Sequence, residues 1–467
     1  MGIRNKWILI ALTVLLALGL CGRWWAASHV FEKRHNPSEF LYLDEIVYLT
    51  LGQNLIRGQA YSTQKQYEKL LHLYDKVPRY LNDPLFKHPP LYPAILGASV
   101  AVFGPHAWAA FLPNLALSIV LTWLVFALTR AVFHDDFAGL IAAALFAVSP
   151  TAWFCAGRIV MEIPMTCAVA AAVLFQIESA RCPRLLWTAA IAWAAAWWTK
   201  YPAIPMWALV QAALLMFRPA LLKRKDYWAA QALTLVLFLP WIAWRWNVDG
   251  VRLFSPSKSP TEEWQAFAHL LSRPLFWAGG VMALAAAALF WNQRRVVTAH
   301  LVRWSPRWAS GAALAIGSLA LLWFFWLIWP ELLSFSQLPW HGDLPNRLAD
   351  GPWFTYLVRQ AAFEPATLVG FTLIWFLPGG RAAQALKVIA LLGTVLVIAW
   401  GNYQMRYFLL VLPFWHALTA GALMGVFRRI PARPWGAAWL AAWLGFSLAR
   451  SVWLDARMVI PSDFFYF

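Results

Sequence analysis

The sequence predicts an all-α polytopic membrane protein. Hydrophobic residues make up 61% of the 467 positions and charged residues only 13%, whereas soluble domains average roughly 25% charged residues. The 32 tryptophans point the same way, since Trp favours the membrane–water interface. The apolar segments are numerous enough for about 13 transmembrane helices, each of which needs about 20 residues to cross the bilayer.

The first predicted span follows Arg4 and Lys6. Its apolar run is long for a cleaved secretory signal, so we interpret it as an uncleaved span. The segment Pro89–Gly104 is apolar but short and opens with two prolines, which predicts a re-entrant or interfacial helix. The predicted spans are 7–27, 108–129, 137–155, 163–180, 185–199, 203–217, 228–244, 274–291, 308–329, 365–378, 388–401, 407–427 and 436–453.

The formal net charge of +17 is interpreted as a topology signal rather than as a sign of nucleic-acid binding. Basic residues concentrate in short loops between apolar runs, and such loops stay in the cytoplasm. A cytoplasmic N-terminus and a re-entrant Pro89–Gly104 together place most of the net positive charge on the cytoplasmic side. Three long segments then lie outside: 28–107, 245–273 and 330–364.

The first outer segment contains a predicted amphipathic helix from Asp44 to Arg57. Asp44 can cap its start and Gly58 can end it. We expect this helix to lie on the membrane surface. Its apolar contacts would come from Ile46, Leu49, Leu55 and Ile56.

Two acidic positions on the outer side are candidates for catalysis. Asp44 and Glu45 are adjacent, so on a helix one can face a site while the other bonds elsewhere. A carboxylate there can act as a general base, although a helix cap and dipole partner is the alternative. Glu162 follows Arg158 by four residues. An ordinary ion pair is the alternative for these two, yet charge beside a bilayer is costly and favours function.

Basic and aromatic side chains are predicted on the same side of the membrane. Arginine presents a fork of donors that suits phosphate. For each basic residue the alternative is a charge that snorkels to the headgroups. Together with the acids, this set suits a reaction with a lipid phosphate donor. The candidates for binding donor phosphate or acceptor are Tyr48, Lys87, His88, Arg158, Lys200, Tyr403, Arg406 and Tyr407.

In this order the residues resemble the motifs of polyprenyl-phosphate-dependent glycosyltransferases of the GT-C superfamily, especially the protein O-mannosyltransferase and lipid A aminoarabinose transferase group. The resemblance covers about residues 1–225 and the region of Arg406. One departure is Glu162, where many relatives have Asp. The matching elements are Asp44-Glu45, His88-Pro89-Pro90, Phe103-Gly104, Ser149-Pro150, Arg158, Glu162, Pro164, Thr199-Lys200, Arg406-Tyr407 and Pro413.

The resemblance implies the GT-C fold and an inverting transfer of a hexosyl or pentosyl unit. The donor would be a polyprenyl (undecaprenyl or dolichyl) phosphate sugar, and the acceptor a lipid, glycan or protein on the outer face. Membrane lipids are the other expected partners. The expected location is the bacterial inner membrane with the site facing the periplasm. The expected modules are a catalytic one, 1–225, and a variable C-terminal one, 226–467.

The resemblance also implies roles for individual residues. Asp44 would be the general base, with Glu45 as a helper or alternate. Lys200 and Arg406 would bind the donor phosphate and stabilise the charge that develops as the sugar leaves. Glu162 would orient the acceptor, while His88 and Arg158 would help to place the donor or the carboxylates. No cofactor is required; a divalent cation, if one binds, would be held by Asp44 and Glu162.

Two other classes of protein fit parts of the pattern. A transporter of lipid or solute would show inverted repeats and charge at mid-membrane, whereas this sequence has no evident repeat and its acids lie at the outer edges of the spans. A lipid-linked oligosaccharide ligase would depend on outer-loop Arg and His residues more than on Asp44. An Asp44→Asn variant therefore separates the ligase from the glycosyltransferase.

Overall fold

The computed structural model describes residues 3–32, 43–63, 88–249, 364–374, 377, 380–399, 405–428 and 433–459. Within these ranges the chain is helical and contains no strand. The helices are α1 Ile3–Glu32, α2 Leu43–Ile56, α3 Leu91–Phe103, α4 Ala107–Phe133, α5 Asp136–Ala147, α6 Pro150–Ala156, α7 Glu162–Glu178, α8 Leu185–Thr199, α9 Ala203–Phe217, α10 Lys225–Asp249, α11 Pro365–Leu373, α12 Arg381–Ala399, α13 Leu412–Phe427 and α14 Arg433–Val459, with 3-10 helices at Pro219–Lys223 and Met405–Leu410.

Four of the described helices are long and apolar enough to cross a membrane: Lys6–Ser28, Trp108–Phe133, Lys225–Asn247 and Arg381–Ile398. The pair α5 and α6 adds a fifth if it counts as one broken span. The predicted class, an all-α polytopic membrane protein, is confirmed. The predicted number of spans is not tested, because 274–291 and 308–329 lie outside the described residues.

The predicted continuous span 137–155 is wrong in one respect. Helix α5 ends at Ala147, α6 begins at Pro150, and their axes differ by 59°. Pro150 has no backbone N–H and so cannot continue the hydrogen bonds of α5, and its ring suits the first turn of a new helix. Ser149 caps that new helix by accepting a hydrogen bond from the backbone N–H of Ala152.

Helix α3 is too short to span the bilayer. Its 13 residues extend about 20 Å, against a hydrocarbon core of about 30 Å. It packs against α2 with backbones in contact: a Cβ added to Gly97 would lie 2.2 Å from the carbonyl oxygen of Gly52. Glycine at both positions therefore permits the approach that fixes α2 on α3.

Helix α2 is less amphipathic than predicted. Val47, Tyr48 and Leu51 are buried, whereas Ile56, one of the predicted contact residues, is 51% exposed. Asp44 lies within the first turn rather than capping it. Gly58 follows the helix end with a positive φ of 66°, as expected for a terminating glycine.

Candidate active site

Four charged side chains from four different elements meet at one place. Asp44 comes from the first turn of α2, Glu162 from the start of α7, Lys200 from the residue after α8, and Arg406 from the second 3-10 helix. Arg406 Nη2 lies 2.6 Å from Asp44 Oδ2, and its Nε lies 3.5 Å from Glu162 Oε1. Lys200 Nζ lies 2.6 Å from that same Glu162 oxygen. The result is an alternating chain of two carboxylates and two cations.

The four charges differ in their exposure to solvent, and Asp44, at one end of the chain, is the most exposed. The Glu162 side chain is only 1% exposed, while Asp44 is 33% exposed and the two cations lie between these values. Buried charges persist when they are paired and hydrogen-bonded. The exposed carboxylate at the end of the series is the one that an incoming molecule can reach.

Tyr407 provides an aromatic wall for the two cations. Its ring centroid lies 4.6 Å from Lys200 Nζ and 5.3 Å from the Arg406 guanidinium carbon. These distances are within the range of cation–π attraction. The ring therefore helps to hold both cations on the same side of the site.

The charges of the cluster set its protonation states. Burial opposes ionisation of Asp44, but Arg406, followed by His88, lowers its pKa to about 2. Burial also opposes the charge on Lys200 and Arg406, yet the carboxylate of Glu162 leaves the pKa of each raised. All three groups are therefore ionised at neutral pH.

The turn before Glu162 is held by two polar side chains. The backbone N–H of Ile159 donates to Glu45 Oε1 at 3.2 Å. Asn114 Nδ2 donates to the carbonyl oxygens of Arg158, at 2.6 Å, and Val160, at 2.8 Å. The sequence analysis missed Asn114, although an amide inside an apolar span is itself a signal of buried hydrogen bonding.

The adjacent acids of α2 contact different partners, as expected for neighbouring helical positions. Asp44 pairs with Arg406, while Glu45 is buried and binds the turn after α6. The roles of both in a reaction stay predictions. Arg158, at that turn, places its guanidinium 4.4 Å from the ring centroid of Phe154.

The ring of His88, which precedes α3, packs against Tyr48 on α2. Their rings meet edge to face with centroids 5.0 Å apart, and Tyr48 also meets Tyr92 at 5.9 Å. Tyr61, another residue the sequence analysis missed, donates from its hydroxyl to the carbonyl oxygen of His88 at 2.8 Å. Two further predicted residues, Lys87 and Tyr403, lie outside the described residues.

The divalent cation considered for this site stays a prediction. Within the described part of the chain, no group of three or more His, Cys, Asp or Glu side chains is arranged to hold a metal ion. Asp44 and Glu162, the pair considered for that role, both face the guanidinium of Arg406. We therefore assign no step to a metal.

Comparisons with known proteins identify a similar sequence family and similar folds. A family model described as dolichyl-phosphate-mannose-protein mannosyltransferase matches residues 87–244. The crystal structure of ArnT from Cupriavidus metallidurans bound to undecaprenyl phosphate is 15% identical, with a TM-score of 0.51 over 96% of this chain and 69% of ArnT. The archaeal oligosaccharyltransferase AglB from Archaeoglobus fulgidus, in complex with an inhibitory peptide and a dolichol-phosphate, is 16% identical, with a TM-score of 0.56 over 98% of this chain and 56% of AglB. This chain has the GT-C fold.

The GT-C resemblance predicted from the motifs is thereby confirmed, and the chain is an integral membrane protein. A search of curated protein sequences finds no match. This chain spans just over two thirds of ArnT and just over half of AglB. At these levels of identity the similarity to solved structures shows the GT-C fold alone.

Proposed function

We propose that this protein is a membrane glycosyltransferase that moves one sugar from a polyprenyl phosphate to an acceptor on the outer face of the membrane. The observation that carries the proposal is the cluster itself: buried Lys200 and partly buried Arg406 beside a buried carboxylate, ending in a carboxylate that is 33% exposed. A donor phosphate needs cations that bind it, and an acceptor nucleophile needs a carboxylate that takes its proton. The cluster holds these two kinds of group side by side.

Lys200 and Arg406 would bind the donor phosphate. Arginine can contact phosphate oxygens through two N–H groups, and lysine adds a compact charge. As the bond between the sugar and the phosphate oxygen breaks, negative charge grows on the leaving phosphate, and fixed cations stabilise it. Glu162 would hold the two cations in place through its contacts with both.

Asp44 would act as the general base. The acceptor hydroxyl or amine would lose its proton to Asp44 while its oxygen or nitrogen forms a bond to the anomeric carbon. The lipid phosphate leaves from the opposite side, so the configuration inverts. Asp44 is ionised and reachable, but Arg406 engages one of its oxygens at 2.6 Å. Binding of the donor phosphate to Arg406 would loosen that contact.

The similar structures support the choice of donor. ArnT was solved with undecaprenyl phosphate and AglB with a dolichol-phosphate and a peptide. The acceptor of this protein would be a lipid, a glycan or a protein. The location we propose is a bacterial inner membrane, with the cluster facing the periplasm.

The test uses the purified full-length protein with polyprenyl-phosphate sugars and candidate acceptors. We expect Asp44→Asn to lower transfer by about 100-fold or more, within the typical effect of removing a general base, while binding of polyprenyl phosphate is kept. Asp226→Asn is the matched control, since Asp226 pairs with Arg224 elsewhere in the chain. Equal turnover by wild type and Asp44→Asn would reject the base, and failure of the wild type to bind polyprenyl phosphate would reject the donor class.

A further inference from the structure

The break between α5 and α6 is held by a residue that lies 215 positions away. The hydroxyl of Ser149 donates to Glu364 Oε1 at 2.6 Å. The backbone N–H of Thr151 donates to the same oxygen at 3.0 Å. Glu364 is 1% exposed, so these bonds replace its contact with water. Its carboxyl group thus joins the segment before α11 to the first turn of α6.

The second carboxyl oxygen of Glu364 faces a histidine. Oε2 lies 3.7 Å from His416 Nε2 on α13. His416 Nδ1 lies 3.0 Å from the carbonyl oxygen of Leu412. A carbonyl only accepts, so Nδ1 carries the hydrogen and, in the neutral ring, Nε2 presents a lone pair. A proton on Glu364 Oε2 would point at that lone pair.

Helix α6 leads directly to the candidate site. It packs against the 3-10 helix Met405–Leu410, which carries Arg406 and Tyr407. It is also followed at once by the turn from Arg158 to Glu162. A shift of α6 would therefore move these four residues of the site together.

We propose that Glu364 is a positioning residue that holds α6, and with it the turn from Arg158 to Glu162, and that it does so as a neutral carboxylic acid facing His416. Its consequence for transfer rests on the proposed function. The contacts and the protonation state do not.

Two observations support the neutral form. Burial raises the pKa of Glu364 to about 7, against the hydrogen bonds from Ser149 and Thr151. At 3.7 Å, the distance to His416 is also too long for a strong ion pair, and a buried pair offsets its desolvation only with good geometry. The charged side chains on the elements packed around α6 include Arg23 on α1, Glu162 on α7, Arg450 on α14, and Arg406.

The protonation state is tested by infrared spectroscopy of the purified protein. We expect the carbonyl stretch of a protonated carboxylic acid at about pH 6, its loss as the pH rises through about 7, and its absence in Glu364→Gln. Glu178→Gln, which alters a carboxylate at the far end of α7, should leave the band unchanged. If the wild-type spectrum shows no carbonyl band that is absent from the Glu364→Gln spectrum, the neutral form is rejected.

The positioning role is tested through the buried thiol of Cys155 on α6, in a background where Cys21, Cys167 and Cys182 are replaced by Ser. Glu364→Ala should raise the labelling rate of Cys155 about ten-fold or more, because the loss of buried hydrogen bonds favours local opening. Glu364→Gln keeps an acceptor for Ser149 and should label slowly at every pH. Above about pH 7, Cys155 should be labelled faster in the wild type than in Glu364→Gln at the same pH.

Transfer kinetics then connect the contacts to function. At about pH 6, Glu364→Gln should have the kcat and KM of the wild type. If the wild-type transfer rate declines above pH 7, Glu364→Gln should not show that decline. Glu364→Ala should raise the KM for the donor. Equal labelling of Cys155 in wild type and Glu364→Ala would overturn the positioning role. If the wild type transfers no sugar, the proposed function fails, and the infrared and labelling results still decide this proposal.

Discussion

Arg406 pairs with Asp44 at 2.6 Å although 362 positions separate the two residues. The same guanidinium faces Glu162 at 3.5 Å, so one side chain lies between the two acids of the site. A lysine could neutralise charge at this position but could not present two directed donors.

We therefore expect Arg406→Gln to lower the transfer rate by about 100- to 1000-fold, the typical cost of removing one preorganised electrostatic contact. Arg406→Lys should fall between this variant and wild type, and both should bind polyprenyl phosphate more weakly. Steady-state kinetics and a binding titration measure the two effects. The control is Arg428→Gln, which breaks an ion pair of the same 2.6 Å length with Asp135. An unchanged rate in Arg406→Gln would contradict this assignment.

The Lys200–Glu162 pair predicts a difference between stability and activity. Lys200→Gln leaves a carboxylate that is 1% exposed with only the longer contact to Arg406, and should destabilise the protein by about 2–4 kcal/mol. The double variant Lys200→Gln/Glu162→Gln removes both charges and should recover most of that stability, but not the activity. Thermal unfolding in detergent and transfer assays measure the two. Recovery of activity by the double variant would show that the cation is not needed for the donor.

The low pKa of Asp44 predicts a stability change in acid. In the folded protein its pKa of about 2 is below the usual Asp value of 3.8, so ionised Asp44 stabilises the fold above about pH 4, and this contribution is lost as the pH falls through about 2. Because the side chain is 33% exposed, we discount the effect to about 1 kcal/mol.

Unfolding midpoints of wild type and Asp44→Asn, measured from about pH 6 to pH 2, should differ by a constant amount at first and then converge. A difference that stays constant to the lowest pH would show that Arg406 does not stabilise the ionised form.

The sequence predicted the fold class and most of the cluster because both depend on local signals. Apolar length marks the helices, and charged residues beside apolar runs mark Asp44, Glu162, Lys200 and Arg406. Which cation pairs with which acid depends on helix packing across hundreds of positions, and no local pattern encodes it. Glu364 illustrates the limit: it is the last residue of the segment 330–364 that was predicted to lie outside, yet its partner Ser149 lies 215 positions earlier.

The contact between α2 and α3 predicts that a methyl group far from the charges will reduce activity. A Cβ on Gly97 would lie 2.2 Å from the Gly52 carbonyl oxygen, so Gly97→Ala must push α2 away from α3. Since α2 carries Asp44, the displacement should weaken its pairing with Arg406 and lower transfer by about ten-fold, together with a loss of about 1–3 kcal/mol in stability. Gly445→Ala on α14 is the matched control, because no atom of the described residues lies within 4 Å of its added Cβ. Equal transfer rates for the two variants would show that the position of α2 does not limit the reaction.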